Sequence, residues 1–141
     1  MRLECFLRVG FNGEISTRYH IFLCWMSDAE QLSKEVFDIT SNGSNQIYIS
    51  SATIWEIAIK EALGKLEVDA DLDHAIEENG FVELKVSAIC ANATKELEQI
   101  HRDPFDRMLI AQAIEGDMTL ITVDGYIIQY DKVKVLSFKK K

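Results

Sequence analysis

Short runs of β-forming residues alternate with longer helical segments along most of this chain. A β-branched and aromatic run at residues 46–50 follows a Ser-Asn-Gly-Ser-Asn turn, and three later runs have a similar character. The pattern therefore predicts four strands, at residues 46–50, 81–86, 119–123 and 133–136.

Three segments between and after these runs have helical character, at residues 52–63, 88–100 and 105–115. Ser51 is the predicted N-cap of the first helix, and Gly64 predicts its end. Pro104 suits the first turn of the third helix, because its ring fixes a helical φ and its missing N–H would have no partner there. Gly116 predicts the end of that helix.

Strands that alternate with helical segments of about 10–15 residues indicate βαβ units. We therefore expect an α/β domain with a mostly parallel central sheet and helices on both faces. In such sheets, ligands bind beyond the carboxyl ends of the strands. Acidic residues just beyond strand ends are accordingly the first candidates for chemistry.

Composition and charge narrow the classes of protein to which the chain can belong. Its 141 residues suit one domain, which can bury a real core without disulfides or structural metal. The formal net charge of −8 predicts that any RNA contact comes from a local basic patch or from bound cations. Three widely spaced cysteines indicate reduced thiols and a cytoplasmic location. No apolar run approaches the roughly 20 residues that cross a membrane.

Glu56 lies early in a helical segment that is apolar around almost its whole circumference. A carboxylate there would lose its hydration unless a cation or a hydrogen-bond donor meets it. Lys60 follows one helical turn later, so a simple ion pair between the two side chains is the structural alternative to a functional role.

Three aspartates follow later in the chain. Asp103 suits the N-cap of the helix that Pro104 opens, and Asp106 lies in the first turn, where the helix dipole favours a negative charge. Asp124 comes directly after the strand predicted at residues 119–123. Capping for Asp103 and a turn for Asp124 are the structural alternatives.

Together these acids make sense as one cluster. Carboxylates that converge beyond a parallel sheet repel one another, so they need a divalent cation to stay ionised. All-oxygen ligands suit Mg²⁺ or Mn²⁺ better than zinc. Such a site can activate water and stabilise the leaving oxygen in phosphodiester hydrolysis.

The segments around these acids resemble motifs of VapC-type PIN-domain toxins. Residues 48–60 (YISSATIWEIAIK) resemble the second acidic motif of that family, and residues 101–113 (HRDPFDRMLIAQA) resemble the third. Residues 120–124 (LITVD) are similar to the fourth. The resemblance extends over residues 20–138 in the order that the family shows.

The resemblance implies a three-layer α/β/α PIN fold, Mg²⁺-dependent endoribonuclease activity, homodimerisation and inhibition by a cognate antitoxin. It also implies that Glu56, Asp106 and Asp124 are metal-site carboxylates. Thr122 would lie near the water of the metal site, and Asp103 would be an accessory acid.

The chain departs from the family before His20. The first strand of the family ends in an Asp-Thr-His-like motif with a central metal ligand, whereas Arg18 and Tyr19 precede His20 here. An arginine at the ligand position would repel a cation, so whether the chain is an active enzyme stays open. We divide the chain into an atypical N-terminal segment, residues 1–19, and a PIN-like domain, residues 20–141, with an altered first strand.

One hypothesis for this departure is a frameshift near Tyr19, caused by the loss of a single base. Codons that are synonymous for residues 12–20 encode Met-x-Lys-Phe-Leu-Leu-Asp-Thr when they are read one base later. That peptide is typical of a VapC start, and one restored base would join it to His20. In the chain as written, residues 5–9 or 14–19 are the candidates to replace the first strand, although neither is as apolar as a buried parallel strand prefers.

Two functions of different classes follow. The first is a metal-dependent ribonuclease that acts on RNA, in which Lys60, Arg102 and Arg107 are candidate phosphate contacts. The second is a catalytically impaired PIN domain that only dimerises or binds an antitoxin. Another hydrolase on the same kind of sheet is disfavoured, because no nucleophile or phosphate-loop motif accompanies the strands.

Overall fold

A computed structural model describes residues 4–8, 14–17, 34–68, 71–99, 103–122, 130 and 133–137 of the chain. Its strands are β1 (Glu4–Arg8), β2 (Glu14–Thr17), β3 (Gln46–Ser50), β4 (Val82–Leu84), β5 (Thr119–Thr122) and β6 (Lys134–Ser137). Its α-helices are α1 (Lys34–Ser41), α2 (Ser51–Ala62), α3 (Leu72–Glu78), α4 (Ala88–Ala93) and α5 (Pro104–Glu115). A 3₁₀ turn, Thr94–Glu96, follows α4.

The strands form one six-stranded sheet in the order β4-β3-β2-β1-β5-β6. Neighbouring pairs β4–β3, β3–β2 and β5–β6 are parallel, as is an additional pairing of β2 with β5. Among the strands of the described residues, only β1 runs antiparallel to its two neighbours. The prediction of a mostly parallel central sheet is therefore confirmed.

Two strands lie in the atypical N-terminal segment. β2 pairs with β3 on one side and reaches β5 at Ile15 and Ser16, so it lies parallel within the sheet. β1 folds back beside β2 as an antiparallel strand and extends the contact with β5. Both candidate segments named from the sequence thus form strands, and the first part of the sheet differs from an all-parallel arrangement.

The helix predicted at residues 52–63 begins and ends within one residue of α2. Its N-cap is Ser50 rather than the predicted Ser51, because the Ser50 hydroxyl accepts the hydrogen bond from the backbone N–H of Ala52. Gly64 ends it as expected, in the left-handed region with φ +72°. The neighbouring Lys65 N–H donates to the Lys60 carbonyl, which closes the helix end.

Other predicted boundaries change more. The strand predicted at residues 81–86 is only Val82–Leu84, and the helix predicted at residues 88–100 is α4 followed by the 3₁₀ turn. The composition of residues 88–100 did not indicate this break. In the structure, α4 has no buried residue. By contrast, α5 begins at Pro104 and ends before Gly116, as predicted.

The core lies where α5 covers β5. One side of α5 joins residues of β5 and of the segment near β6 in a single buried cluster: Leu109, Ile110, Ala113, Met118, Leu120, Tyr130 and Val133. A second set of buried residues, Ile47, Ile49, Ala52 and Ile57, belongs to β3 and α2. Burial of these apolar side chains is the main favourable contribution to folding.

A buried polar contact links these two regions. The Ser50 hydroxyl, at the end of β3, lies 2.7 Å from Oε1 of Gln112 on α5, and 62 residues separate them in the chain. The Gln112 amide nitrogen lies 3.4 Å from the carbonyl oxygens of Leu84 and Lys85, beyond β4. Gln112 therefore ties α5 to the carboxyl ends of β3 and β4.

The helices of the described ranges include none with the length and apolar character that crossing a membrane requires.

The Ser50–Gln112 contact predicts a measurable coupling. Ser50→Ala and Gln112→Met should each lower the free energy of unfolding by about 1–3 kcal/mol, since each leaves a buried polar group without its partner. The double variant should lose about 1 kcal/mol less than the sum, as determined by urea unfolding. As a control, Asp71→Ala removes a different N-cap, of α3, and should be additive with Gln112→Met. Additivity of Ser50→Ala with Gln112→Met would contradict this assignment.

Candidate metal centre

Glu56 lies on the buried side of α2. The buried residues of this helix are Ala52, Thr53, Glu56 and Ile57, a spacing that places them along one helical face. Only 3% of Glu56 is exposed. The expected loss of hydration is therefore confirmed, and the carboxylate is held at the same depth as apolar core residues.

Asp106 lies on the core side of α5. It has no exposed surface, and the next turn on its face carries Leu109 and Ile110, which are buried as well. Its position in the first helical turn places the carboxylate near the partial positive charge of the helix N-terminus. We refer to Glu56 and Asp106 as the buried acids.

Both buried acids belong to helices that begin toward the same edge of the sheet. α2 follows β3 without a loop, so its first turn lies at the carboxyl end of that strand. α5 ends shortly before β5 starts, so its first turn lies toward the carboxyl end of β5. Since β3 and β5 both run parallel to β2, these carboxyl ends lie at one edge, where α/β sheets bind ligands.

The two helices contact each other one residue before each buried acid. The rings of Trp55 and Phe105 meet edge to face, with centroids 5.3 Å apart and an interplanar angle of 70°. This contact packs the early turns of α2 and α5 together, and the Ser50–Gln112 hydrogen bond joins the N-cap of α2 to the later part of α5.

Lys60 provides the ion pair that was the structural alternative for Glu56. Its Nζ lies 3.9 Å from Glu56 Oε2, one turn along α2, and about one third of its side chain is exposed. The separation is that of a long ion pair rather than of a short charge-assisted hydrogen bond, for which about 2.7–2.9 Å is typical. Lys60 thus offsets part of the charge of Glu56.

Asp103 is the N-cap of α5, as the sequence predicts. Its Oδ1 accepts hydrogen bonds from the backbone N–H groups of Phe105 at 2.9 Å and Asp106 at 3.3 Å. Through the second of these bonds the cap also orients the backbone of a buried acid. Its role as an accessory acid stays a prediction.

Thr122 and Asp124 complete the predicted set. Thr122 is the last residue of β5, at its carboxyl end, whereas Asp124 lies outside the described residues, as do Arg18 and Arg102. Within the described ranges, no group of three histidine, cysteine, aspartate or glutamate side chains is close enough to hold a metal ion. The structure therefore describes two of the three predicted ligands, and the three-carboxylate site stays a prediction.

Arg107, a candidate phosphate contact, has a structural position instead. Its guanidinium donates to the main-chain carbonyls of Thr94 and Glu98, each at 2.9 Å, and lies 3.4 Å from the hydroxyl of Tyr130. These bonds fasten α5 to the 3₁₀ turn and to the segment that follows. The sequence carried no signal for this role, because main-chain carbonyls have no side-chain pattern.

The donor chemistry of the buried acids fits Mg²⁺ or Mn²⁺. Both ions prefer oxygen ligands, and carboxylates supply them. A buried carboxylate also requires compensation of its charge, which a divalent ion provides. The cysteine of the described side chains, Cys90, lies on α4 and takes no part.

Comparison with known proteins shows similarity to one domain family and to one solved structure. The PIN domain family model matches residues 20–133. The crystal structure of VapBC2 from Rickettsia felis bound to a DNA fragment from their promoter is similar to this chain, with a TM-score of 0.62 and 15% sequence identity. That likeness covers 86% of this chain and 96% of the other. No curated protein sequence matches the chain.

The family match extends over well over half of the chain and includes both buried acids. The similarity to VapBC2 shows the fold, so the predicted three-layer α/β/α architecture is confirmed. The resemblance to VapC-type proteins noted in the sequence holds at the level of family and fold. This chain belongs to the PIN-domain family.

Proposed function

We propose that this protein is a Mg²⁺-dependent (or Mn²⁺-dependent) endoribonuclease of a toxin–antitoxin pair. The observation that carries the proposal is the burial of Glu56 and Asp106 on two neighbouring helices of a PIN domain, at the carboxyl edge of the sheet. A core position is unfavourable for a carboxylate unless it serves a purpose that apolar residues cannot. Acidic side chains are almost never fully buried unless they are paired or coordinate a metal ion.

In this proposal Glu56, Asp106 and Asp124 hold the ion, and Asp103 and Thr122 support the site. A bound divalent ion would supply Lewis-acid chemistry, which makes water a better nucleophile and neutralises charge on the phosphodiester. Glu56 and Asp106 provide fixed anionic oxygens, while burial keeps these side chains in one orientation. The Asp103 cap holds the first turn of α5, on which Asp106 lies.

The proposed partners are RNA, a cognate antitoxin and a second copy of the chain, in the cytoplasm. The similar structure from Rickettsia felis is a VapBC2 complex with promoter DNA, which motivates the antitoxin as a partner here. Exposed apolar side chains on the outer face of α2 and beyond, such as Ile59 and Leu63, offer surface that a protein partner would cover.

Neutral replacements of the buried acids test the proposal. Glu56→Gln and Asp106→Asn should each lower Mg²⁺-dependent RNA cleavage by about 100-fold or more, since even outer-shell changes at metal sites cost about 10–100-fold. Thermal stability without metal should change little, because the amides keep the size of the acids and Lys60, the ion-pair partner of Glu56, is partly exposed to water. Mg²⁺ should raise the melting temperature of the parent protein and not of the variants.

The matched control is Glu61→Gln, an exposed acid on the same helix, which should leave cleavage unchanged. Full cleavage by both buried-acid variants would refute the nuclease proposal. An inactive parent that still binds an antitoxin would instead support the non-catalytic binding module.

Two replacements of Asp103 separate its cap from its proposed accessory role. Asparagine caps helices about as well as aspartate, so Asp103→Asn should leave the free energy of unfolding nearly unchanged while cleavage falls. Asp103→Ala should in addition lose about 1 kcal/mol of stability in chemical denaturation. If Asp103→Asn cleaves RNA like the parent protein, Asp103 is a cap and nothing more.

The frameshift hypothesis for residues 1–19 remains part of the proposal. We expect the nucleotide sequence to contain codons that yield Leu-Leu-Asp-Thr before His20 once a single base is restored. The protein with the restored segment should bind Mg²⁺ more tightly and cleave RNA faster, because a carboxylate replaces Arg18. Codons that cannot produce this aspartate would end the hypothesis, whatever the activity of the chain as written.

A further inference from the structure

An apolar pocket of about 310 Å³ lies between the beginnings of α2 and α5 and the residues after β4. A volume near the lower end of the range for small-ligand sites, about 300–1,000 Å³, suits a compact planar group. Its lining contains no charged side chain and consists of Ser51, Ala52, Trp55, Val86, Pro104, Phe105 and Met108.

Trp55 dominates this pocket. The side chain lies on the solvent side of α2 and is 64% exposed, an unusual position for the largest apolar residue type. The edge-to-face contact with Phe105 orients the indole ring without covering most of it. The ring is therefore held in place by the protein while a large part of it stays available to a ligand.

The pocket adjoins the buried acids through the chain itself. Trp55 and Phe105 line the pocket, and the next residues are Glu56 and Asp106. Successive residues of a helix point about 100° apart, so each helix directs one side chain into the core and its neighbour toward the pocket. A ligand in the pocket would thus lie beside the proposed metal centre.

The charge of the protein indicates which part of an RNA the pocket would recognise. A net charge of −8 disfavours affinity that is based on phosphate contacts. Arg107, near the pocket in sequence, already donates to main-chain carbonyls. Stacking of a base on an aromatic ring does not depend on net charge, because every base has a π face.

We propose that this pocket binds one nucleobase of a single-stranded RNA, stacked on Trp55, next to the phosphodiester that is cleaved. The inference rests on the proposed ribonuclease function and deepens it, since it assigns a subsite for the substrate. An uncharged, mostly apolar pocket with a fixed aromatic ring favours a planar base over the sugar or the phosphate. Ser51 and the backbone around Val86 add polar groups at its border, where the Val86 N–H donates to the Ser51 hydroxyl at 3.1 Å.

The test measures RNA binding without cleavage, in the Glu56→Gln background, with short single-stranded oligoribonucleotides of each base. Adding Trp55→Ala should weaken binding of at least one of them about tenfold, a typical loss for one stacked base. Trp55→Phe should retain most of the affinity. Leu63→Ala, which changes an exposed apolar residue at the other end of α2 and outside the pocket, should leave RNA binding unchanged.

Abasic substitutions make the test specific for a base. An abasic site is introduced at each position of the oligoribonucleotide in turn, and at one position it should weaken binding. In the Trp55→Ala variant, an abasic site at that same position should cause no further loss of affinity. Equal binding with and without Trp55→Ala would overturn the proposal. An equal loss of affinity on Trp55→Ala for intact and for abasic RNA would also overturn it. A Trp55→Ala variant that binds RNA normally but loses dimerisation or antitoxin binding would assign the pocket to a protein partner and likewise overturn it.

The two proposals fail separately in this design. Cleavage that survives Glu56→Gln and Asp106→Asn would refute the nuclease assignment, whereas the binding of abasic and intact RNA still reports on the pocket. Cleavage that depends on the acids, combined with unaffected binding by Trp55→Ala, would refute only the base subsite. Because Trp55 is largely exposed, Trp55→Ala should lower the melting temperature of its parent by only a few degrees, the loss expected for one aromatic pair.

Discussion

Burial of carboxylates at the beginnings of two helices is the constraint on which the rest of this structure depends. Glu56 and Asp106 occupy positions that apolar residues would fill more favourably, since a charge in the interior loses its hydration. The protein therefore has to supply compensation at that edge of the sheet. Lys60 supplies part of it through a long ion pair, and the first turn of α5 supplies another part through its dipole.

Such an arrangement holds the acids in place only if the helices cannot move apart. Gln112 provides this restraint from inside, because its amide group contacts the end of β3 and the chain beyond β4. Arg107 provides it from the other side of α5, through bonds to the main chain around the 3₁₀ turn. Three polar residues of α5 thus have distinct roles: Asp106 is the proposed metal ligand, whereas Arg107 and Gln112 fix the helix.

The same geometry suggests how an acidic protein could recognise RNA. Electrostatic attraction over the whole surface is not available at a net charge of −8. A metal centre and an aromatic pocket would act locally, one on a phosphodiester and the other on a neighbouring base. The edge-to-face pair of Trp55 and Phe105 would contribute to both proposed sites, because it packs α2 against α5 and forms a wall of the pocket.

Much of this could be predicted from the sequence alone. The alternation of strands and helices determined the α/β class, Pro104 and Gly116 marked the ends of α5, and Asp103 was recognisable as its cap. The apolar surroundings of Glu56 and Asp106 already implied burial, because local composition and helical period decide which face a residue occupies. Because these features depend on a few neighbouring residues, they can be predicted from the sequence alone.

Only the tertiary structure decided what depends on residues far apart in the chain. Ser50, rather than Ser51, caps α2, and its hydroxyl also contacts Gln112. Arg107 donates to main-chain carbonyls, a role that no sequence pattern predicts. The pairing of β1 and β2 in the N-terminal segment likewise could not be read from the sequence. These strands pair with β3 and β5, and such pairing depends on the arrangement of the whole sheet. Long-range hydrogen bonds and pockets arise from packing between elements, and a linear pattern records only the composition of each element.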